Sequence, residues 1–330
     1  MNNDGLCVLL VTKLAFVEAM GKMRGKKRKL HIAPVICSVS VLILLLFLTP
    51  SQIVKIFSDP VPLSAGEYNT QGIAVFNGVV TDEKTYSRIT IKVDYSLVGK
   101  GLVKIDADSP DDESIFISLL PVNNDTVIDA EGRYDHKLKI YSENGVYSLT
   151  YGSGEYELCV WIKEDQTDDK YVKIYQNIFR ANFPENEPYK YSNVYSEYES
   201  DSLASAYAHS VIKGDKSDME KANDIIAFVH KKIEYDYAAE NEMQLMTADE
   251  ILESGKGICY SYTSLASAML KSVGIPTREI RGYNKKSSAV HSWCEVLIDD
   301  EWLTADPAWY GYFPVNPDDY TPADYANPYA

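Results

Sequence analysis

Histidine and cysteine are both scarce in this sequence, with five of each in 330 residues. Cys7 and Cys37 fall before or within an N-terminal apolar run, which leaves Cys159, Cys259 and Cys294 for the rest of the chain. Three thiols without regular spacing exclude a disulfide framework and leave at least one of them free. Positive charge is short as well: 32 Lys and Arg stand against 48 Asp and Glu, a formal charge of −16. Residues 1–50 hold seven of the basic residues and two acids, so residues 51–330 carry 25 basic against 46 acidic side chains, about −21. A surface this acidic repels phosphate backbones and excludes nucleic acid as a partner. Also missing are a glycine-rich nucleotide loop, zinc-ligand spacing, a haem motif and any repeat of 20–50 residues. The acidic run 106–114 (DADSPDDES) lacks the glycine and the terminal Glu of an EF-hand, and reads as a solvated loop.

What is present begins with an export signal. Residues 32–54 contain no charged side chain, and six of the eight positions 22–29 are basic. Twenty-three uncharged residues are enough to cross a bilayer, and the basic flank belongs on the cytoplasmic side. We read 1–31 as a basic cytoplasmic tail, its first residues the product of an over-long start. Residues 32–54 are then a signal-anchor and transmembrane helix at the cell membrane, with the remainder extracellular; secretion after signal cleavage is the alternative.

The periodicity then changes twice. Between 66 and 183, short runs alternate with period two: in SRITIKVDYS, Ile89, Ile91 and Val93 share one face, and Arg88, Thr90, Lys92 and Asp94 the other. Several such runs separated by turn residues suggest an immunoglobulin-like β-sandwich, with Cys159 as a buried packing residue and His136 in one of its strands. Residues 184–199 are polar, Tyr-rich and carry two prolines, a linker composition, so 66–183 and 200–330 are expected to fold separately. From 200 on the period is helical. Helices are expected from Leu203 to Ile212, after the capping box Ser217-x-x-Glu220, after Thr247-x-x-Glu250 up to Gly255, and from Tyr260 to Val273. TREIRGYN, HSWCEVLID and EWLTADPAWY follow as strands, which makes 200–330 an α+β domain.

The chemistry concentrates there. A thiol attacks as its thiolate, which requires a lowered pKa. Cys259 follows Gly255-Lys256-Gly257 at the start of a helix, where the sulfur meets the positive end of the helix dipole. Of the histidines, His31 belongs to the signal and His209 and His230 to amphipathic helices, which leaves His291 as the base. If Asp299-Asp300 is a two-residue turn, Ile298 opposes Glu301 and Asp306 opposes Trp293. Trp293 shares a face with His291, so Asp306 lies one diagonal step from it, about 7 Å between backbones. Such a carboxylate orients the imidazole and stabilises its cation. Cys294, of opposite parity, points away into packing. An oxyanion hole needs a second donor beside the Cys259 amide, and Tyr235, Tyr237 and Gln244 are candidates.

GKGICYSYTSLASAMLKSVGIPTREIRGY, followed by HSWCEVLIDDEWLTADPAW, is similar to the core of the transglutaminase-like superfamily, a papain-like thiol-enzyme fold. The resemblance covers about 110 residues and stops short of the β-domain. Cys259, His291 and Asp306 match the family's catalytic positions, and Gly257, Trp293 and Pro307 its flanking ones. The resemblance implies acyl transfer from an amide through a thioester, on a peptide or protein substrate, ending in hydrolysis or transamidation. It implies no cofactor, although some relatives require calcium. The alternative is a surface scaffold or adhesion module that keeps the fold without the chemistry.

Overall fold

The computed structural model describes residues 72, 82–108, 115–122, 145–163, 171–239 and 246–323. The expected tail, the 32–54 segment, His31, His136 and Gln244 lie outside them. Among the described residues no helix is long and apolar enough to cross a membrane.

The N-terminal strands make two antiparallel sheets. One has the order β1 (Asp82–Tyr86), β2 (Ile89–Asp94), β3 (Leu102–Asp108), β5 (Gly145–Ser148); the other β4 (Ile115–Pro121), β6 (Gly154–Lys163), β7 (Tyr171–Ala181). The alternation read in β2 is realised: Ile89, Ile91 and Val93 are buried, and they join Ile105, Ile117, Leu158 and Ile174 from both sheets in one cluster. Cys159 is buried on the other side of β6, next to Trp161, whose indole N–H donates to Ser118 Oγ at 3.3 Å.

After residue 200 the chain is built around one helix. Helices α1 (Leu203–Val211), α2 (Asp218–Lys232) and α3 (Ala248–Ser254) surround α4 (Cys259–Ser272), in which every side chain from Tyr260 to Ser272 is buried. Both expected capping boxes form, Ser217 with Glu220 and Thr247 with Glu250, and Gly255 ends α3 at φ 61°. A four-stranded antiparallel sheet covers α4, in the order β12 (Glu301–Ala305), β11 (Ser287–Ile298), β10 (Thr277–Asn284), β13 (Tyr320–Pro322). Ala266, Met269 and Leu270 of α4 share a core with Ile225 and Val229 of α2 and with Cys294 and Val296 of β11. Two short strands, β8 (Glu234–Tyr235) and β9 (Lys256–Gly257), pair in parallel just ahead of the helix.

The stretch with linker composition is a packed strap. Its tyrosines carry apolar rings that are worth burying, whatever their hydroxyls contribute to average polarity. Tyr189 meets Trp302 edge-on at 5.3 Å, Val194 enters the core of the β-sheets, and Tyr198 enters the core around α4. Ser196 is fully buried and accepts from Lys271 Nζ at 2.7 Å, while the same ammonium meets Glu279 at 2.8 Å. Lys271 has no exposure, so the pair relies on complete hydrogen bonding. Lys271→Ala is expected to cost about 3–5 kcal/mol, because Glu279 is left buried and unpaired. Lys271→Met with Glu279→Leu should recover most of that loss in urea unfolding. A double variant as weak as the single one would refute this account.

Candidate functional site

The site is assembled from the start of α4 and the end of the β11–β12 hairpin. Gly257 precedes the helix with no room for a side chain: a Cβ there would stand 2.3 Å from Ser261 Cβ, so only glycine lets β9 lie against the first turn. Its carbonyl accepts from Asp236 N–H at 3.0 Å, which ties the approach to β8. No side chain caps α4, and the Cys259 sulfur itself accepts the Tyr260 N–H. The Cys259 amide occupies the first helical position, where an N–H has no partner within the helix.

The hairpin has the register that counting through a two-residue turn predicts. Asp299 and Asp300 take φ 50° and 66°, Ile298 pairs with Glu301, and Cys294 pairs with Ala305. Both central residues at positive φ suit the twist of a tight hairpin. Asp306 follows the last pair and is fully buried; its Oδ2 accepts from His291 Nε2 at 2.8 Å. Nε2 is thereby occupied, so the ring presents Nδ1 to the Cys259 thiol, with which His291 is hydrogen-bonded. Trp309 at 5.1 Å and Trp293 at 6.4 Å pack against the imidazole. Cys294 is buried with its Sγ directed at Ala305 O, on the opposite face.

Burial by itself would raise the Cys259 thiol and lower the imidazole, and the local contacts reverse both. The hydrogen bond and charge of His291, with the Ser292 and Tyr260 amides, hold Cys259 below its ordinary value. Desolvation works against the imidazolium, but Asp306 and Cys259 push His291 up to about 9. The other two thiols go the other way: burial pushes Cys159 up to about 11 and Cys294 still further.

Sequence reasoning missed one partner. Tyr320, from β13, donates to the same Asp306 Oδ2 at 2.8 Å, while the Trp309 amide reaches Oδ1 at 3.3 Å. The chain holds 25 tyrosines, and nothing local marks this one. His230, assigned only to an amphipathic helix face, donates through Nδ1 to Pro307 O at 2.9 Å and so anchors the end of the hairpin to α2. In front of Cys259 and His291 lies a cleft of about 640 Å³ whose walls include Tyr235, Tyr237, Arg281 and Trp309. Two of the three oxyanion candidates therefore reach the cleft. Among the described residues no group of three or more His, Cys, Asp or Glu is placed to hold a metal ion.

Residues 205–307 match the family model of the transglutaminase-like superfamily. This part of the chain is a transglutaminase-like domain. Among solved structures the chain is similar to a candidate cysteine protease from Cytophaga hutchinsonii (16% identity, 42% of this chain and 47% of that one, TM-score 0.36). It is also similar to a candidate protease from Parabacteroides distasonis (13%, 59% and 38%, TM-score 0.28). A third match is red sea bream transglutaminase (13%, 66% and 50%, TM-score 0.26). The chain spans half or less of the length of each of these. No curated protein gives a significant match. The matched range of the transglutaminase-like domain ends one residue past Asp306, so Tyr320 lies outside it.

Proposed function

We propose that this protein is an exported thiol enzyme in which Cys259 attacks the amide carbonyl of a peptide or protein. The observation that carries the reading is a low-pKa thiol hydrogen-bonded to a buried imidazole, itself held by a buried carboxylate, at the wall of an open cleft. Cys259 thiolate adds to the carbonyl carbon, and the Cys259 amide with Tyr235 or Tyr237 stabilises the oxyanion. His291 passes its proton to the leaving amine as the C–N bond breaks, which leaves a thioester. The neutral imidazole then removes a proton from water or from an acceptor amine, and the second attack frees the thiol. Hydrolysis gives a peptidase or amidase, and attack by an amine gives a cross-linker. Asp306 holds the ring so that Nδ1 faces sulfur, and offsets the imidazolium charge.

The sequence features at 22–54 support a single-pass membrane anchor with the domains outside the cell. The two N-terminal sheets support an immunoglobulin-like reading of the β-part. Incubation of the protein with Gln-containing peptides and a primary amine separates the outcomes: ammonia with an amine adduct, ammonia alone, or cleavage. No product from any such peptide, with Cys259 shown to be reactive, would favour the scaffold.

Reactivity itself has a sharp pH signature. Cys259 should be alkylated by iodoacetamide at pH 6–7, where Cys159 and Cys294 stay protonated. The His291 shift upward stabilises the fold below its ordinary value near 6.5, and that contribution is lost as pH rises through about 9. Peptide mapping of the alkylated sites at pH 6.5 and 9.5 tests this, and equal labelling of all three thiols at pH 6.5 would refute it.

A further inference from the structure

We infer that Arg281 is a carboxylate-binding residue of the cleft, and that the preferred substrate carries an anionic group one to three residues from the amide attacked. The inference rests on Cys259 being the nucleophile and names the substrate class for it.

Arg281 lies on β10 directly opposite Ser292 of β11, and the Ser292 amide touches the Cys259 sulfur. Cross-strand neighbours stand about 5 Å apart. Arg281 and Cys259 thus line one cleft, and an extended peptide crossing it at about 3.3 Å per residue would set a group one to three residues from the attacked amide near the guanidinium. Arg281 is only partly buried, lines the same cleft as Cys259, and makes no ion pair among the described residues. Its backbone is rigidly held, paired with β11 on one side and accepting Ala323 N–H at 2.9 Å on the other. The next residue, Gly282, lies so close to β13 that a Cβ would stand 2.3 Å from Thr321 O.

Charge makes this placement informative. The chain carries −16 overall, yet the described walls of the cleft contain no Asp or Glu and include Arg281 and His291. Lys286 adds a further cation beside the cleft, over the Trp309 ring at 5.3 Å. The other arginine of β10, Arg278, is committed to Glu295 at 2.6 Å and to the Trp302 ring, so the two are not interchangeable. A planar guanidinium with no ionic partner among the described residues, in a partly desolvated cleft, matches a carboxylate in bidentate geometry. The carboxylate has two possible sources, an acidic side chain or the C-terminus of the peptide.

Alkylating probes test this without knowledge of the natural substrate. N-iodoacetyl-glycine and its carboxamide differ only in a terminal carboxylate. N-iodoacetyl-glutamic acid α-amide and the glutamine analogue differ only in the side chain. In each case the thiolate displaces iodide, forming the S–C bond as C–I breaks. With the intact protein at low salt, one anionic probe or both should alkylate Cys259 about 10- to 100-fold faster than its neutral twin. Arg281→Gln should bring that ratio close to the value for iodoacetate over iodoacetamide on the same variant, which reports the imidazolium without Arg281. Arg281→Lys, which keeps the charge and loses the fork, should keep part of it. Which pair responds identifies the source of the carboxylate. A ratio unchanged in Arg281→Gln, with iodoacetamide still labelling Cys259, overturns this inference alone. Failure of iodoacetamide to label wild-type Cys259 at pH 6.5 overturns the nucleophile reading and this inference with it.

Discussion

Cys259→Ala is expected to abolish acyl transfer, His291→Ala to leave only traces, and Asp306→Asn to slow turnover about 10- to 1000-fold. The third value is the informative one. Asp306 is fully buried and its Oδ2 receives both His291 and Tyr320. The amide of Asn is nearly isosteric but brings no counter-charge, so the imidazolium becomes harder to form. The Cys259 thiolate depends on that cation, and its pKa should rise, with slower alkylation at pH 6–7. A cysteine depends less on its third partner than a serine does, hence a loss smaller than the roughly 10⁴ of a serine triad. Tyr320→Phe removes one of the two donors to Oδ2 and should move the pH profile of alkylation without erasing activity. Wild-type behaviour of Asp306→Asn, with Cys294→Ala inactive, would mean that the functional thiol and carboxylate have been misassigned.

A chain that starts at residue 200 is expected to fail to fold cooperatively, whereas one that starts at 184 should keep Cys259 reactive. The shorter chain loses Tyr189 from Trp302, Tyr198 from the core, and Ser196 from Lys271. It also loses Tyr195, whose carbonyl accepts the Tyr260 hydroxyl at 3.4 Å just inside the helix that carries the thiol. Large buried side chains contribute about 1.5–3 kcal/mol each. Losing Tyr189 and Tyr198, and leaving Lys271 without one partner, removes an amount comparable with the lower end of the ~5–15 kcal/mol of a whole domain. Thermal unfolding followed by near-ultraviolet dichroism distinguishes the two chains. An unchanged midpoint for the 200-start chain would show that the strap is dispensable.

These outcomes mark where sequence reading succeeds and where it stops. The hairpin was legible because a two-residue turn leaves one register, and alternation then places Asp306 near His291 from counting alone. The capping boxes were legible because each lies within four residues. Tyr320 and Arg281 were not, since β13 reaches β10 across 36 positions and no local pattern announces that pairing. The packing of the strap is not legible from composition, because average polarity scores a tyrosine by its hydroxyl, while Tyr189 and Tyr198 act through their rings.

The isolation of the three thiols has a further consequence. A low-pKa thiolate at the wall of a cleft is the one peroxide attacks first, giving a sulfenic acid. Cys159 and Cys294 are buried and held protonated, so neither can act as the resolving thiol that would turn the damage into a reversible disulfide. Among the described residues Cys259 thus has no partner thiol, so reversal of its sulfenic acid falls to a thiol from elsewhere, or oxidation continues to the sulfinic acid. If Cys259 is the nucleophile proposed above, the redox chemistry of the surroundings would limit the working life of each molecule alongside the stability of its fold.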